Sequence, residues 1–422
     1  MYAFNTLLRA PPTYAEGTSA MVAGVPFYGI LARFCNTPAG YNMFTNPGVN
    51  LRFHKMFSKW EKLLESPESR SVLHKNKGGW LSKEALESAV VYAGGPQDSQ
   101  EFPNYYVCDT EDPHYGFTSY DAYFARELKA SKRAVVEPNK NSIVNSPCSA
   151  EVYKLYSPLK ELEKFWLKKT PYSLRHMLGE HEFTNKFVDG TLVQAMLGSR
   201  DYHRWRSPIN GTVKDTRVIP GTYYAARLQR PPSADPDPDP IPVPPIYCHH
   251  PPHCHPPPQC TSTPRYCHHA PNCHPPPLCQ PPPFVSYCNC PCLCPPLHPE
   301  NPNLDPDPVS RSQDFVTAIS TRALIFIEAD DKDLGLVCFV GVGLGEVSTC
   351  NIIVQKDQKL KKGEEIGQFH FGGSTFCLLF EPGVTVTPLE QPDPKDPSKT
   401  IPLVGSKVRV GKDMLGVKKK SG

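Results

Sequence analysis

Apolar side chains recur at helical spacing in the first hundred residues of the chain. Across residues 50–64, Leu51, Met56, Trp60 and Leu64 fall close to the period of an α-helix. Positions at this spacing line up along one side of a helix and favour burial of that side. The pattern predicts an amphipathic helix that packs against the rest of the protein.

Two further helices are predicted, one from a capping residue and one from the spacing of apolar side chains. Ser82 precedes an Ala/Leu-rich run with glutamates in its first turns, which is the pattern of a helix N-terminus. Within residues 118–128, Tyr120, Phe124 and Leu128 stand four residues apart and share one helical face. We expect these three side chains to lie in the core.

From Ala134 onward, short β-prone runs separated by Pro, Asn and Gly replace the helical period. One short helix, Tyr172–Leu178, interrupts them. The predicted strands are Val135–Val136, Ile143–Val144, Glu151–Tyr153, Thr191–Met196, Gly211–Val218, Ala323–Glu328, Gly335–Val342, Val347–Val354 and Thr375–Phe380. The fold class is therefore predicted to be α+β, with a small helical N-terminal domain followed by a β-rich domain.

A block rich in Pro, His and Cys, residues 231–308, separates the two sets of strands. Ten of the 16 cysteines lie in it, and a unit starting at Tyr247 is repeated 19 residues later at Tyr266. Proline at this density prevents helix and sheet formation, so the block is expected to be a disordered insertion. Its Cys and His side chains suit zinc or copper(I), but their spacing matches no zinc module. We expect no native metal site; a metal-binding insert and a gene-model artefact stay open as alternatives.

These features divide the chain into five expected parts: a helical N-terminal domain (1–100), a first part of the β-rich domain (101–230), the insertion (231–308), a second part of the β-rich domain (309–390) and a C-terminal tail (391–422).

Charge and composition indicate which kinds of partner and which cellular location to expect. A formal charge of +3 with 21% charged residues gives no basis for a nucleic-acid or membrane-surface partner. Apolar stretches such as residues 334–344 are too short for a membrane span, and the N-terminus lacks the pattern of a signal peptide. The six cysteines outside the insertion are scattered among apolar residues, as buried thiols are. We expect a soluble cytoplasmic protein.

The sequence Gly372-Gly373-Ser374-Thr375 carries the candidate chemistry. Without a Cβ, Gly373 leaves the following peptide free to adopt strained angles and to expose its carbonyl carbon to the Ser374 hydroxyl. That geometry permits an N-to-O acyl shift followed by β-elimination. The chain would be cut between Gly373 and Ser374, and a pyruvoyl group would remain on the new N-terminus.

This motif resembles the self-cleavage site of the phosphatidylserine decarboxylase family. A second motif, Asp201-Tyr202-His203-Arg204 followed by Pro208-x-x-Gly211, also matches the family, and the similarity extends over about residues 115–384 outside the insertion. Residues 28–81, 326–330 and 346–350 resemble the fungal soluble branch that includes L-tryptophan decarboxylases. The N-terminal domain looks truncated by comparison with that branch.

The resemblance implies the fold, a covalent pyruvoyl cofactor made from Ser374, a proenzyme that cleaves itself, and a homodimer. Its chemistry resembles that of pyridoxal phosphate, because the pyruvoyl carbonyls withdraw electrons from a bound amine. His203 is the implied general acid that protonates the substrate carbon. His370 is a further candidate, either as a catalyst or as a residue that positions the turn.

Two positions depart from the family pattern. Self-cleavage in the family is thought to use an Asp-His-Ser triad, and the His and Asp positions are here Arg206 and Ser149. An arginine cannot act as a base at neutral pH. The resemblance therefore leaves two replacements open: His370, or His203 in both roles, with Glu151 as the acid.

The sequence thus predicts a carboxy-lyase, a pyruvoyl-dependent decarboxylase of an amino acid or amino-acid head group. An aromatic amino acid such as tryptophan, in fungal secondary metabolism, is the favoured substrate. One alternative is a phosphatidylserine decarboxylase that makes phosphatidylethanolamine in phospholipid biosynthesis. Another is an uncleaved, inactive paralogue with a metal-binding insert.

Overall fold

The computed structural model of the chain describes residues 2–15, 25–162, 172–227, 312–346, 349–394, 396 and 398–419. The block 231–308, with its expected disorder and its metal-binding alternative, lies outside these residues. The described chain stops at Arg227 and resumes at Ser312, and the Arg227 N–H donates to Ser312 Oγ at 2.9 Å. The two residues that flank this gap therefore touch.

Helices dominate the first part of the chain, and two short ones lie among the strands. The α-helices are α1 (Tyr2–Leu7), α2 (Pro26–Cys35), α3 (Pro38–Thr45), α4 (Pro47–Glu65), α5 (Lys83–Tyr92), α6 (Phe102–Tyr105), α7 (Tyr120–Phe124), α8 (Leu174–Met177) and α9 (Gln313–Ile319). Single 3₁₀ turns lie at Pro67–Val72, Ser99–Glu101, Ala130–Lys132 and Thr184–Phe187.

Helix α4 is the predicted amphipathic helix, but its buried side differs from the prediction. Asn46 Oδ1 accepts from the Gly48 N–H at 2.8 Å and so caps the helix N-terminus. The buried face follows aromatic positions three and four residues apart, and its members are Phe53, Phe57, Trp60 and Leu64. Leu51, which was expected on that side, is 53% exposed.

The other two predicted helices form with different lengths. Ser82 caps α5 as expected, because its Oγ accepts from the Ala85 N–H at 3.3 Å. In residues 118–128 only α7 is helical, since Leu128 forms an isolated bridge with Tyr106 in extended conformation. Tyr120, Phe124 and Leu128 are all buried, as predicted.

The strands form antiparallel sheets. They are β1 (Ile143–Asn145), β2 (Ala150–Tyr156), β3 (Thr191–Leu197), β4 (Arg204–Arg206), β5 (Gly211–Ile219), β6 (Arg322–Ala329), β7 (Leu336–Leu344), β8 (Cys350–Ile352), β9 (Lys359–Leu360), β10 (Glu365–Phe369), β11 (Gly373–Phe380), β12 (Val384–Pro388), β13 (Gln391–Pro392), β14 (Thr400–Ile401), β15 (Lys407–Val408) and β16 (Asp413–Lys419). The largest sheet has eight strands in the order β15-β2-β3-β11-β7-β6-β5-β9. Three-stranded sheets β4-β10-β8 and β1-β16-β12 accompany it.

Some strand predictions need correction. Val135–Val136 is not a strand, because the Val136 N–H bonds to Gly411 O in a loop rather than in a ladder. The predicted strand 347–354 is reduced to β8, and Val347 and Ser348 lie outside the described residues. The expected C-terminal tail contributes β13 to β16, and β16 pairs with both β1 and β12.

The large sheet is covered on both faces. Along β11, Cys377 and Leu379 belong to a core shared with the helical region, whereas Phe376 and Leu378 belong to a second core shared with β4, β10 and β16. A strand buried on both faces is continuously apolar, as β11 is from Phe376 to Phe380. In the part of the chain that the structure describes, no helix has the length and apolar character needed to cross a membrane.

Candidate active site

The Gly373–Ser374 peptide lies at the start of β11, in the middle of the large sheet. Gly373 and Ser374 pair with Leu344 and Gly343 of β7, and Ser374 also pairs with Leu197 of β3. The strained residue is Gly372, with a φ of 146°, whereas Gly373 is not among the residues with positive φ. The expectation of strain at Gly373 is therefore corrected by one residue, because the turn into β11 is completed before the strand begins.

Ser374 is fully enclosed. Its side chain is 1% exposed, and its Oγ makes no hydrogen bond within the described residues. A buried hydroxyl without a partner costs free energy, so its retention calls for an explanation. An enclosed hydroxyl that follows a turn through a glycine with positive φ, here Gly372, is suited to react with its own backbone.

Backbone pairing brings His203 to the same end of the sheet. The Phe369 N–H donates to His203 O at 2.9 Å, next to the β4–β10 pair. Leu197 and Ser374 are paired in the large sheet. The chain passes from β3 in the large sheet to β4 in a three-stranded sheet through residues 198–203, and it returns from β10 to β11 through residues 370–372. His203 lies at the end of the first connection, where its carbonyl oxygen meets the end of β10.

The His203 ring is buried, and a weak interaction with the Asp201 backbone only partly opposes the effect of burial on its pKa. The side chain is 1% exposed, and neither ring nitrogen has a partner within the described residues. Its ring lies 4.1 Å from that of Phe124, centroid to centroid. Burial and then the charge of Arg126 lower the pKa of His203 to about 3. The imidazole is therefore neutral at pH 7.

His370 is in a different environment from His203. Its Nδ1 lies 2.9 Å from Asp121 Oδ2, and its Nε2 lies 3.3 Å from Gln368 Nε2. Burial opposes its charge, but the hydrogen bond and charge of Asp121, with the charges of Glu61 and Glu65, outweigh burial and raise the pKa of His370. His370 is thus a histidine oriented by a carboxylate, four residues before Ser374.

Asp121 was not identified from the sequence. Its residue type in the first turn of α7 indicated only a favourable helix N-terminus. The acid expected beside a histidine, Glu151, is exposed on β2.

Asp121, Glu65 and His370 hold ligand-type atoms within 4.8 Å of one another and could hold a metal ion. The same carboxylates also help to raise the pKa of His370.

Arg206 and Ser149 have structural roles. Arg206 Nη2 lies 2.9 Å from Glu365 and 3.1 Å from Tyr202 Oη, and its Nη1 donates to Gly363 O at 3.1 Å. Ser149 Oγ accepts from the Val410 N–H at 3.2 Å. No hydrogen bond among the described residues links either side chain to Ser374 or His203. The two positions therefore do not form a triad with Ser374.

Comparison with known protein families gives one match to the helical N-terminal region and one to the β-rich region on both sides of the insertion. Family models described as phosphatidylserine decarboxylase match residues 1–89, and residues 120–234 together with 301–415. The chain belongs to the phosphatidylserine decarboxylase family. It is therefore a carboxy-lyase. The unmatched residues 235–300 fall inside the Pro/His/Cys-rich block.

Several fungal proteins are similar to this chain over most of its length. Decarboxylase iboD of Amanita muscaria is 33% identical over 86% of this chain and 86% of its own. An L-tryptophan decarboxylase of Psilocybe cubensis is 30% identical over 89% of this chain and 70% of its own. Phosphatidylserine decarboxylase proenzyme 3 of Schizosaccharomyces pombe is 21% identical over 75% of this chain and 25% of its own.

Proposed function

We propose that the protein cleaves itself between Gly373 and Ser374 and then acts as a pyruvoyl-dependent decarboxylase of an aromatic amino acid. The observation that carries this proposal is the buried Ser374 hydroxyl, which has no hydrogen-bond partner among the described residues and lies two residues after Gly372, a glycine with positive φ. In a decarboxylase of this family, a free serine at this position is the expected source of the cofactor. The 47.0 kDa chain would yield one large fragment and a second fragment starting at residue 374.

The surroundings of Ser374 fit a pyruvoyl group. Position 374 has a buried oxygen without a partner, and the strands on both sides fix its backbone. A pyruvoyl group there would be shielded from water, and it would supply the electron-withdrawing carbonyls that decarboxylation needs. The remaining tasks, which are proton transfer and substrate binding, fall to side chains of this chain.

For self-cleavage we assign the base to His370, with Asp121 as its orienting acid. The Ser374 hydroxyl must lose a proton as it attacks the Gly373 carbonyl, and a neutral imidazole accepts protons efficiently near its pKa. Elimination of the resulting ester, and hydrolysis that releases ammonia, would then leave the pyruvoyl group. The contact between Asp121 and His370, at 2.9 Å, supports this assignment.

For decarboxylation we assign His203 as the proton donor to the substrate carbon. Its ring is buried, carries no competing hydrogen bond and lies at the same sheet end as Ser374. In the substrate-free protein it is neutral, so it must first gain a proton.

An aromatic amino acid is the preferred substrate for two reasons. Two relatives at 30% identity are L-tryptophan decarboxylases. The helical region also supplies an aromatic cluster next to the site, in which Trp60 lies 5.3 Å from Phe371 and Phe57 lies 5.2 Å from Tyr223. Phosphatidylserine is the alternative substrate. Homodimerisation and a cytoplasmic location stay predictions.

A second candidate is an uncleaved, inactive paralogue. It is favoured by one observation, namely that Arg206 and Ser149 cannot form a triad with Ser374.

Purified protein on a denaturing gel distinguishes the self-cleaving enzyme from the inactive paralogue, because self-cleavage replaces the intact band with two fragments. Ser374→Ala should remain intact, and cleavage at the same bond in this variant would exclude the pyruvoyl mechanism. Processed protein should release CO2 from tryptophan faster than from phosphatidylserine in mixed micelles.

A further inference from the structure

Arg126 is a buried cation that forms no ion pair with any carboxylate among the described residues. Its side chain is 5% exposed, and the guanidinium carbon lies 4.7 Å and 5.1 Å from the ring centroids of Tyr106 and Tyr123. Nη1 and Nη2 donate to two backbone oxygens, Tyr123 O at 3.3 Å and Arg200 O at 3.0 Å. Nε has no partner in the described part of the chain. A guanidinium has five N–H donors, and the Nε donor is left over for a ligand.

Arg126 and His203 are positioned by the same two stretches of chain. Phe124, two residues before Arg126, stacks on the His203 ring, and Arg200, whose carbonyl oxygen Arg126 binds, is three residues before His203. Arg126 Nε and both ring nitrogens of His203 are without a hydrogen-bond partner among the residues that the structure describes, and the positive charge of Arg126 acts on the His203 ring. Leaving several buried polar atoms unpaired is costly unless a ligand satisfies them.

No carboxylate of the described residues forms an ion pair with Arg126, although the charges of Asp201 and Arg126 act on each other. Asp201 is the nearest acid in the segment before His203, and it accepts from the Gly198 N–H at 2.9 Å and forms an ion pair with Lys407 at 2.5 Å. Tyr106 donates its hydroxyl to Ala89 O, and burial raises the pKa of Tyr106, so this phenol is neutral. Burial likewise raises the pKa of Tyr123, to about 12. On α7, Asp121 is engaged with His370.

We propose that Arg126 and His203 together bind the carboxylate that the substrate loses. This inference rests on the proposed decarboxylase function and adds a binding role for Arg126. The Nε edge of a guanidinium matches a carboxylate in a bidentate geometry. A neutral imidazole supplies one further N–H donor.

The bound carboxylate also explains how His203 obtains its proton. A negative charge beside the ring favours the imidazolium, so substrate binding should draw one proton from solvent. When the bond between the substrate carbon and the carboxylate breaks, the electron pair stays with the substrate and CO2 leaves without charge. The carbon then takes the imidazolium proton, and His203 returns to the neutral state that burial and Arg126 impose.

The test compares matched ligands that differ only in charge. Processed wild-type protein is titrated calorimetrically with 3-(indol-3-yl)propionate and with its neutral amide. The acid should bind at least about 10-fold more tightly than the amide, as a charge-assisted contact implies. Repeating the titration in buffers of different ionisation enthalpy should show uptake of close to one proton for the acid and none for the amide. O-phospho-L-serine and O-phosphoethanolamine form the matched pair if the substrate is the phospholipid.

Three variants locate the effect. Arg126→Gln should remove the preference for the acid, and Arg126→Lys should retain part of it, because a charge remains without the bidentate edge. His203→Gln should abolish proton uptake. Arg175→Gln serves as a control, since Arg175 pairs with Glu180 on an exposed surface and should change nothing.

The outcomes separate this inference from the proposed function. Equal binding of acid and amide by wild-type protein, or an unchanged preference in Arg126→Gln, overturns the carboxylate site even if the protein cleaves and releases CO2. Should Arg126→Gln fail to fold, Arg126→Lys and the proton count in His203→Gln decide the question. Full preference in Arg126→Lys together with unchanged proton uptake in His203→Gln would refute the proposal. If the wild-type chain does not cleave, the proposed function fails by itself, and the same titration of the uncleaved chain still tests the carboxylate site, because Arg126 and His203 are both present in it.

Discussion

Asp121→Asn should slow self-cleavage by about 10- to 100-fold. The variant keeps the shape of the side chain but removes the charge that holds His370. Asp121 Oδ2 and His370 Nδ1 are 2.9 Å apart, and both side chains are 13% exposed, so water replaces this contact poorly. A hydrogen bond to a charged group contributes about 1.5–3 kcal/mol. About 1.4 kcal/mol in the barrier corresponds to a tenfold change in rate.

The pH dependence of cleavage gives an independent readout of the same contact. His370 acts as a base only when neutral, so the wild-type rate should rise with pH through the pKa of His370 and then level off. Asp121 raises that pKa, and its loss should lower it. In Asp121→Asn the rise should therefore occur at lower pH, while the plateau rate is reduced. A purely structural role of Asp121 would lower the rate at every pH without moving the midpoint.

The assay follows precursor and fragments on denaturing gels after a short pulse of cell-free synthesis. Asp215→Asn is a matched control, because Asp215 and His181 form a second Asp–His pair, at 2.7 Å, and Asp215 lies on β5, which β6 and β7 separate from the cleavage strand β11. This control should cleave at the wild-type rate. An unchanged rate and midpoint in Asp121→Asn would show that His370 is not the base, and His203→Gln would then be examined in the same assay.

Three further variants test other parts of the structure. Arg206→His should leave the cleavage rate unchanged and lower the free energy of unfolding in urea by about 1–3 kcal/mol, because it loses the bond to Glu365; faster cleavage would place a triad base at this position. Burial raises the pKa of Glu346 to about 7, so its contribution to stability is lost as pH rises from about 4.5 to about 7. Glu346→Gln should therefore match wild type near pH 4 and exceed it by about 3 kcal/mol at pH 8 in urea unfolding; equal stabilities at pH 8 would contradict the raised pKa. Deleting residues 234–307 should preserve soluble expression and cleavage, since Arg227 and Ser312 already touch; unfolding of the full-length protein by chelators would instead show a structural metal site.

Local sequence signals predicted much of the framework. The cap at Ser82, the helix around Trp60 and most strands of the large sheet follow from capping chemistry and hydrophobic period. The motifs around His203 and Ser374 indicated the two segments that meet at the sheet end. Each of these features is encoded by neighbouring residues.

The contacts that define the site were not predictable, because they join distant parts of the chain. Asp121 and His370 are 249 residues apart, and nothing near either position specifies the other. Arg126 looked like one charged residue in a predicted helix, although tertiary packing places it between two tyrosine rings. Helix α7 is short for the same reason, since the extended pairing of Leu128 with Tyr106 outweighs local helix propensity.

The position of β11 determines what a cut before Ser374 would do to the protein as a whole. This strand is hydrogen-bonded to β3 and β7, and β16 is paired with β1. Two strands of the shorter fragment, β11 and β16, would therefore stay paired with strands of the longer fragment in two different sheets. The fragments would stay associated without any covalent link. Once denatured, however, they would have to find each other in solution, and refolding would become second order and dependent on concentration. Maturation would thus convert a chain able to refold alone into a two-chain enzyme whose persistence is set by its rate of unfolding.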